Sequence, residues 1–100
     1  MKEEVQSIMP KSPFYHTRRS SFFNERHEVF FGTANRKKSI EDGLVVFLTQ
    51  EAHRGTNGVH GKNGHEFDTY LKQKGQQAWQ DYYGKTEEDF IARYGKSYID

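Results

Sequence analysis

The longest apolar run in the chain is Leu44-Val45-Val46-Phe47-Leu48. It restricts the fold more than any other feature. A short continuous run with two β-branched residues reads as a buried strand. Such a strand needs a partner and a covering layer. The segment HEVFF, residues 27–31, has β-branched and aromatic character and reads as that partner, ended by Gly32. Between them, Thr33 to Gly43 is polar and basic and reads as a loop. Thr49 is placed to cap a short helix over Gln50 to Arg54, stopped by Gly55. The stretch GTNGVHGKNG follows, with four glycines in ten residues. It reads as a loop able to place a side chain where regular structure cannot.

The last third reads as helical. Phe67, Leu71, Gly75, Ala78 and Tyr82 recur at about four-residue spacing, with Tyr70 and Trp79 beside them. Thr86-Glu87-Glu88-Asp89 fits a capping box. Phe90, Ile91 and Tyr94 then form the apolar face of a final helix closed by Gly95. Residues 1–13 contain two prolines and few large apolar side chains, and read as a flexible or loosely docked arm. Residues 14–100 read as one α+β domain. Its hairpin-and-helix core covers about 24–63 and its C-terminal helices about 66–95.

Composition narrows the function. Mean hydropathy is −1.03. Eight Phe and six Tyr argue against disorder throughout and supply large side chains for a small core. No apolar run approaches a membrane span, and the first residues lack the apolar centre of a secretion signal. The absence of cysteine excludes disulfides and thiolate metal sites and fits a reducing cytosol. Net charge is only +1, but residues 1–63 carry ten Lys/Arg against seven Asp/Glu. Arg18-Arg19, Arg26 and Arg36-Lys37-Lys38 surround the histidine-bearing segments. Such clusters commonly form a solvated surface, and the alternative is a rim facing phosphate or a partner.

Three histidines carry the chemistry. His27 opens the first strand, His53 lies in the short helix, and His60 lies in the glycine-rich loop. A divalent ion in a hydrolytic site takes two or three neutral imidazoles and leaves positions open. If the strands pair and the helix crosses them, the three converge. Three imidazoles suit Zn2+ first, with Ni2+, Mn2+ and Mg2+ as alternatives. His16 and His65 read as surface residues, with His65 a reserve ligand.

HEVFFGTANRKKS, EDGLVVFLT, GVHGKN and EEDFIARYGKSY lie in order across most of the chain. From about Phe14 to Tyr98 the sequence resembles the small HNH endonucleases carried by phages of Gram-positive bacteria. That resemblance implies a ββα-metal fold: a hairpin, a crossing helix and one catalytic divalent ion, here followed by two further helices. It implies metal on His27, with histidines expected and present at 53 and 60. It places the activating base at position 28, where this chain has glutamate, and makes Asn35 the motif asparagine. The family also holds a structural zinc at four stations, which read Tyr15, Arg18, Thr49 and Ala52 here. None is a zinc ligand, and Phe14, Tyr15, Phe22 and Phe23 are expected to replace the ion by apolar packing.

Several roles stay open at this level. A carboxylate is about two pKa units less basic than imidazole. Glu28 therefore reads as a poor base, an extra metal ligand, an orienter of His27, or an ordinary strand residue. Asn35 reads as an orienter of the base, a tie between loop and hairpin, or a turn residue. Arg26, Arg36, Lys37 and Lys38 read as phosphate or partner contacts. Two functions follow. One is a metal-dependent HNH endonuclease that nicks DNA. The other is a degenerate scaffold whose ion holds the fold and which binds a host nuclease of restriction or CRISPR type. Both belong in the cytoplasm of a bacterial host. The altered base and the lost zinc stations tilt the reading toward binding.

Overall fold

The computed structural model describes residues 5–99. The elements run β1 (Glu25–Glu28), α1 (Arg36–Asp42), β2 (Val45–Leu48), α2 (Gln50–Arg54), α3 (His65–Tyr83) and α4 (Glu87–Tyr94). β1 and β2 pair antiparallel, with Glu25 opposite Leu48 and His27 opposite Val46. On its other edge β2 meets His16, whose backbone N–H and C=O both bond Phe47. All four residues of β2 are buried, as a run without polar alternation demands. The result is an α+β fold, a two-stranded hairpin with helices packed around it.

Two boundaries depart from the sequence reading. β1 begins earlier than expected and ends at Glu28 rather than at residue 31. Val29 and Phe30 are both fully buried, and consecutive side chains of a flat strand cannot both face one core. The chain turns there instead. Val29 still donates to the Leu44 carbonyl, while the Phe30 N–H bonds the Ser39 hydroxyl.

The expected loop from 33 to 43 contains a helix, α1. Its sequence RKKSIED holds mostly good helix formers but almost no apolar periodicity, which concealed it. Gly43 ends it at φ +78°, a left-handed conformation suited to glycine. The helix is anchored by polar contacts. The buried Ser39 hydroxyl donates to the Leu44 carbonyl at 2.6 Å. Asp42 receives the Trp79 indole N–H, the Arg93 guanidinium and the Tyr94 hydroxyl.

The core joins Val29, Phe30, Leu44, Val46 and Leu48 to Leu71 and Trp79 of α3 and Phe90 and Tyr94 of α4. Phe30 packs edge-on against Phe90 at 5.2 Å and beside Tyr94 at 4.8 Å. The expected apolar stripes hold with two corrections. Tyr82 is 66% exposed, while the next residue, Tyr83, bonds the Asp42 carbonyl, and Ile91 is 40% exposed. The buried face of α4 is Phe90 with Tyr94, four residues on, and Ile91 lies about 100° around the helix from Phe90. The capping box forms as its spacing required, between the Thr86 hydroxyl, the Asp89 N–H and the Asp89 carboxylate.

The arm also needs amending, within its described part. Residues from Ser7 onward dock on the domain. The Ser7 hydroxyl donates to the Val45 carbonyl at 2.6 Å, Ile8 N–H bonds the Gly43 carbonyl, and Met9 is buried. At the other end, buried Gln76 ties down the tail. Its amide donates to Ser97, and its carbonyl accepts from the Tyr98 N–H at 2.7 Å.

Candidate metal centre

Strand alternation sends neighbouring side chains to opposite faces. Glu25 and His27 therefore share one face of β1, and Arg26 and Glu28 the other. α2 follows directly after β2, its first turn closed by the Thr49 hydroxyl accepting from Ala52 N–H. That cap places His53 beside the Glu25–His27 face. The loop from Gly55 to Gly64 then folds back. Gly58, Gly61 and Gly64 each donate backbone N–H to the glycine three residues earlier, giving successive turns. Val59 N–H bonds the Ala52 carbonyl, and His60 N–H bonds the His53 carbonyl at 3.2 Å. The backbones of two candidate ligands are thus directly joined.

Only glycine fits this loop at four points, Gly55, Gly58, Gly61 and Gly64, and most tightly at the last two. A Cβ on Gly64 would lie 1.7 Å from the Gly58 carbonyl oxygen, and one on Gly61 would lie 2.0 Å from that of Gly55. Gly64→Ala is accordingly expected to open the loop and lower metal affinity at least about tenfold, by analogy with lost supporting contacts. A chelator competition on the two proteins reads this directly.

The three imidazoles converge. The His27–His53, His27–His60 and His53–His60 ring centroids are 5.2, 5.0 and 4.9 Å apart. One ligand nitrogen from each lies within 4.8 Å of the others. Phe31 walls the group, 5.6 Å from the His27 ring and 4.9 Å from that of His60. His27 is buried, His53 half-buried and His60 exposed, so the cluster opens toward solvent on one side.

Its surroundings keep two of the rings uncharged. Burial, then the neighbouring His60, His53 and Lys72 charges, push the His27 pKa down to about 3. Burial and His53 also lower that of His60. Both therefore present neutral rings, the form that binds a metal. The buried Nε2 of His27 has no hydrogen-bond partner. A buried nitrogen left without a partner costs about 1–3 kcal/mol, which a bound ion would relieve. The donor set and this orphaned atom fit a divalent cation.

Glu25 was not singled out in the sequence and belongs to this site. Its Oε1 lies 2.9 Å from His53 Nδ1. A carboxylate only accepts, so Nδ1 carries a proton, and in the neutral ring Nε2 is the nitrogen with a lone pair to offer an ion. Arg54 grips the same carboxylate through both oxygens, at 3.0 and 2.6 Å. His53 and then Arg54 hold the Glu25 carboxyl below its ordinary range. Its position two residues before His27 was the available signal. Glu25→Ala is expected to weaken metal binding by about 10–100-fold while the fold persists. Titration with Zn2+ beside a circular dichroism spectrum checks both halves.

The pH dependence has a definite sign. Unfolded His27 takes a proton near its ordinary pKa of 6.5, while the folded residue resists until about 3. Without added metal, this group's contribution to stability is full above pH 6.5. It falls by up to about 1.4 kcal/mol per unit from there toward pH 3. Urea unfolding at pH 7.5 and 5.5 is expected to show the lower midpoint at 5.5.

The other predicted residues lie elsewhere. Glu28 is outside the cluster and is bonded by Arg26 at 2.9 Å, with Arg36 at 3.6 Å. The Asn35 amide donates to the Tyr94 carbonyl at 3.2 Å, tying the start of α1 to the end of α4. The Lys38 ammonium donates to the Arg93 carbonyl at 2.8 Å. Arg36 and Lys37 are exposed. His65 is exposed at the start of α3, and His16 stacks on Phe23 at 3.8 Å.

At the four zinc stations, Tyr15 is buried with its hydroxyl on the Pro10 carbonyl, and burial raises its pKa. Thr49 serves as a cap, Ala52 packs on the core, and Arg18 is exposed. The expected aromatic replacement is confined to Tyr15 and half-buried Phe23, because Phe14 is 58% and Phe22 74% exposed. Among the described residues no helix is long and apolar enough to cross a membrane. No protein-family model, curated protein or solved structure matches the chain.

Proposed function

We propose that this chain is an HNH-like metal-binding protein that holds one divalent ion on His27, His53 and His60 and acts by binding rather than by cutting DNA. The observation that carries the metal reading is the convergence of three ligand nitrogens within 4.8 Å of one another, in a cluster whose buried His27 leaves Nε2 without a partner. The HNH-like reading is supported by where they stand, on a hairpin strand, a following helix and the next loop. Zn2+ suits three imidazoles best. When bound, such an ion supplies positive charge that polarises a phosphate oxygen, or simply crosslinks strand, helix and loop.

The state of the base position favours binding over catalysis. A general base must be free to reach its proton. Glu28 is instead engaged by Arg26 on one oxygen and faced by Arg36 on the other. Asn35 and Lys38 are similarly occupied by α4. Exposed Phe14 and Phe22 are the kind of surface that protein partners cover. The partner we propose is a host nucleic-acid enzyme of restriction or CRISPR type, and this step rests on the phage resemblance alone.

The test is a supercoiled-plasmid nicking assay on metal-stripped protein supplied with Mg2+, Mn2+, Ni2+ or Zn2+. The expected result is uptake of an ion without nicking. Nicking by the wild type that disappears in His53→Ala would overturn the binding reading in favour of a divergent endonuclease.

A further inference from the structure

Among the described residues, the buried side-chain polar atoms without a hydrogen-bond partner are Nε2 of His27 and Oδ1 of Asp68. A chain of contacts leads from one toward the other. Asp68 lies in the first turn of α3, and its Oδ2 pairs with the Lys72 ammonium at 2.9 Å. That ammonium sits 4.4 Å over the Phe31 ring, which walls His27 and His60.

Three carboxylates stand on the elements next to the histidines, Glu25 and Glu28 on β1 and Asp68 on α3, and they are not equivalent. Glu25 has both oxygens engaged, by His53 and Arg54. Glu28 has Arg26 on one oxygen and Arg36 near the other. Asp68 alone of the three keeps a buried oxygen with nothing to accept from. Buried acceptors in folded proteins nearly always have partners, and an ion is one of the standard reasons for an exception.

We propose that Asp68 is the fourth ligand, binding through Oδ1 the same ion as His27, His53 and His60. This rests on the reading of the three histidines as a metal site. Three nitrogens and one carboxylate oxygen form a familiar four-coordinate donor set for Zn2+ and Co2+. Oδ1 lies outside the group of donor atoms mutually within 4.8 Å. Ligation therefore requires a rotation of the short Asp68 side chain. Its second oxygen can retain Lys72, which would neutralise part of the added negative charge. The ion would then tie α3 to the hairpin as well as to α2.

The test uses the full chain, stripped of metal and loaded with Co2+. Asp68→Cys replaces the oxygen with a thiolate and is expected to add an intense sulfur-to-cobalt charge-transfer band in the near ultraviolet. Asp68→Asn is expected to weaken Co2+ binding more than about tenfold. Glu66→Gln makes the same charge change on an exposed residue of the same helical turn and is expected to leave affinity unchanged. The proposal is overturned if the cysteine variant binds Co2+ without the new band, or if Asp68→Asn behaves like Glu66→Gln. Binding that survives Asp68→Asn but is lost in His53→Ala removes this proposal and keeps the three-histidine site. A wild type that takes up no Co2+ removes both.

Discussion

Loading the metal-stripped chain with Zn2+ is expected to raise its thermal midpoint by more than about 10 °C. The size follows from two steps. An ion at about a thousand times its dissociation constant adds roughly 4 kcal/mol to the folded state. A domain of this length gains about 4–8 °C for each kcal/mol. The ion would add to elements held together mainly by polar bonds, because α2 has no fully buried residue and Val59 is the one apolar side chain the glycine loop buries. His53→Ala is the informative control. Its side chain is 16% exposed at the rim of the cluster, so its loss disturbs the core less than loss of His27. The variant is expected to keep most of its metal-free stability and lose the Zn2+ shift. An equal shift in the variant would mean that the ion binds elsewhere.

The second large effect lies away from the cluster. Asp42→Ala is expected to cost about 3–5 kcal/mol, measured by urea unfolding. One carboxylate accepts from Trp79 Nε1 at 2.9 Å, Arg93 Nε at 2.6 Å, Arg93 Nη2 at 2.9 Å and Tyr94 hydroxyl at 2.7 Å. The Asp42 side chain is only 12% exposed. Alanine would strand these donors between α1, α3 and α4. The 33% exposed Arg93 can turn toward water, but the Trp79 and Tyr94 side chains are buried and cannot. Asp42 raises the pKa of both Arg93 and Tyr94, in Tyr94 second to burial. Asp42→Asn keeps an acceptor and is expected to lose less. A cost below about 1 kcal/mol for alanine would mean that the network behaves as an exposed ion pair.

Much of this arrangement was legible in the sequence. The apolar run of β2 admitted one interpretation, and Thr49 and Thr86 marked helix starts that form as their capping chemistry requires. The convergence of His27, His53 and His60 followed from placing each on its element. Features resting on polar tertiary contacts were not legible. α1 has too little apolar periodicity to show itself, and its docking depends on Asp42 meeting residues 37 to 52 positions away. The end of β1 depends on Phe30 finding α4, which no local pattern announces. Glu25 looks like an ordinary surface acid until the fold brings it against His53. Glu28 stayed open between base, ligand, orienter and ordinary strand residue, because its ion pairs with Arg26 and Arg36 are set by the fold.

The central claim is that three histidines from strand, helix and loop hold one divalent ion. Its most direct measurement is the ion content of metal-stripped protein after exposure to Zn2+ and removal of excess, by elemental analysis and native mass spectrometry, with His53→Ala in parallel. One tightly held ion per wild-type chain, absent from the variant, is the predicted result. No retained ion, or the same content in both proteins, would contradict it.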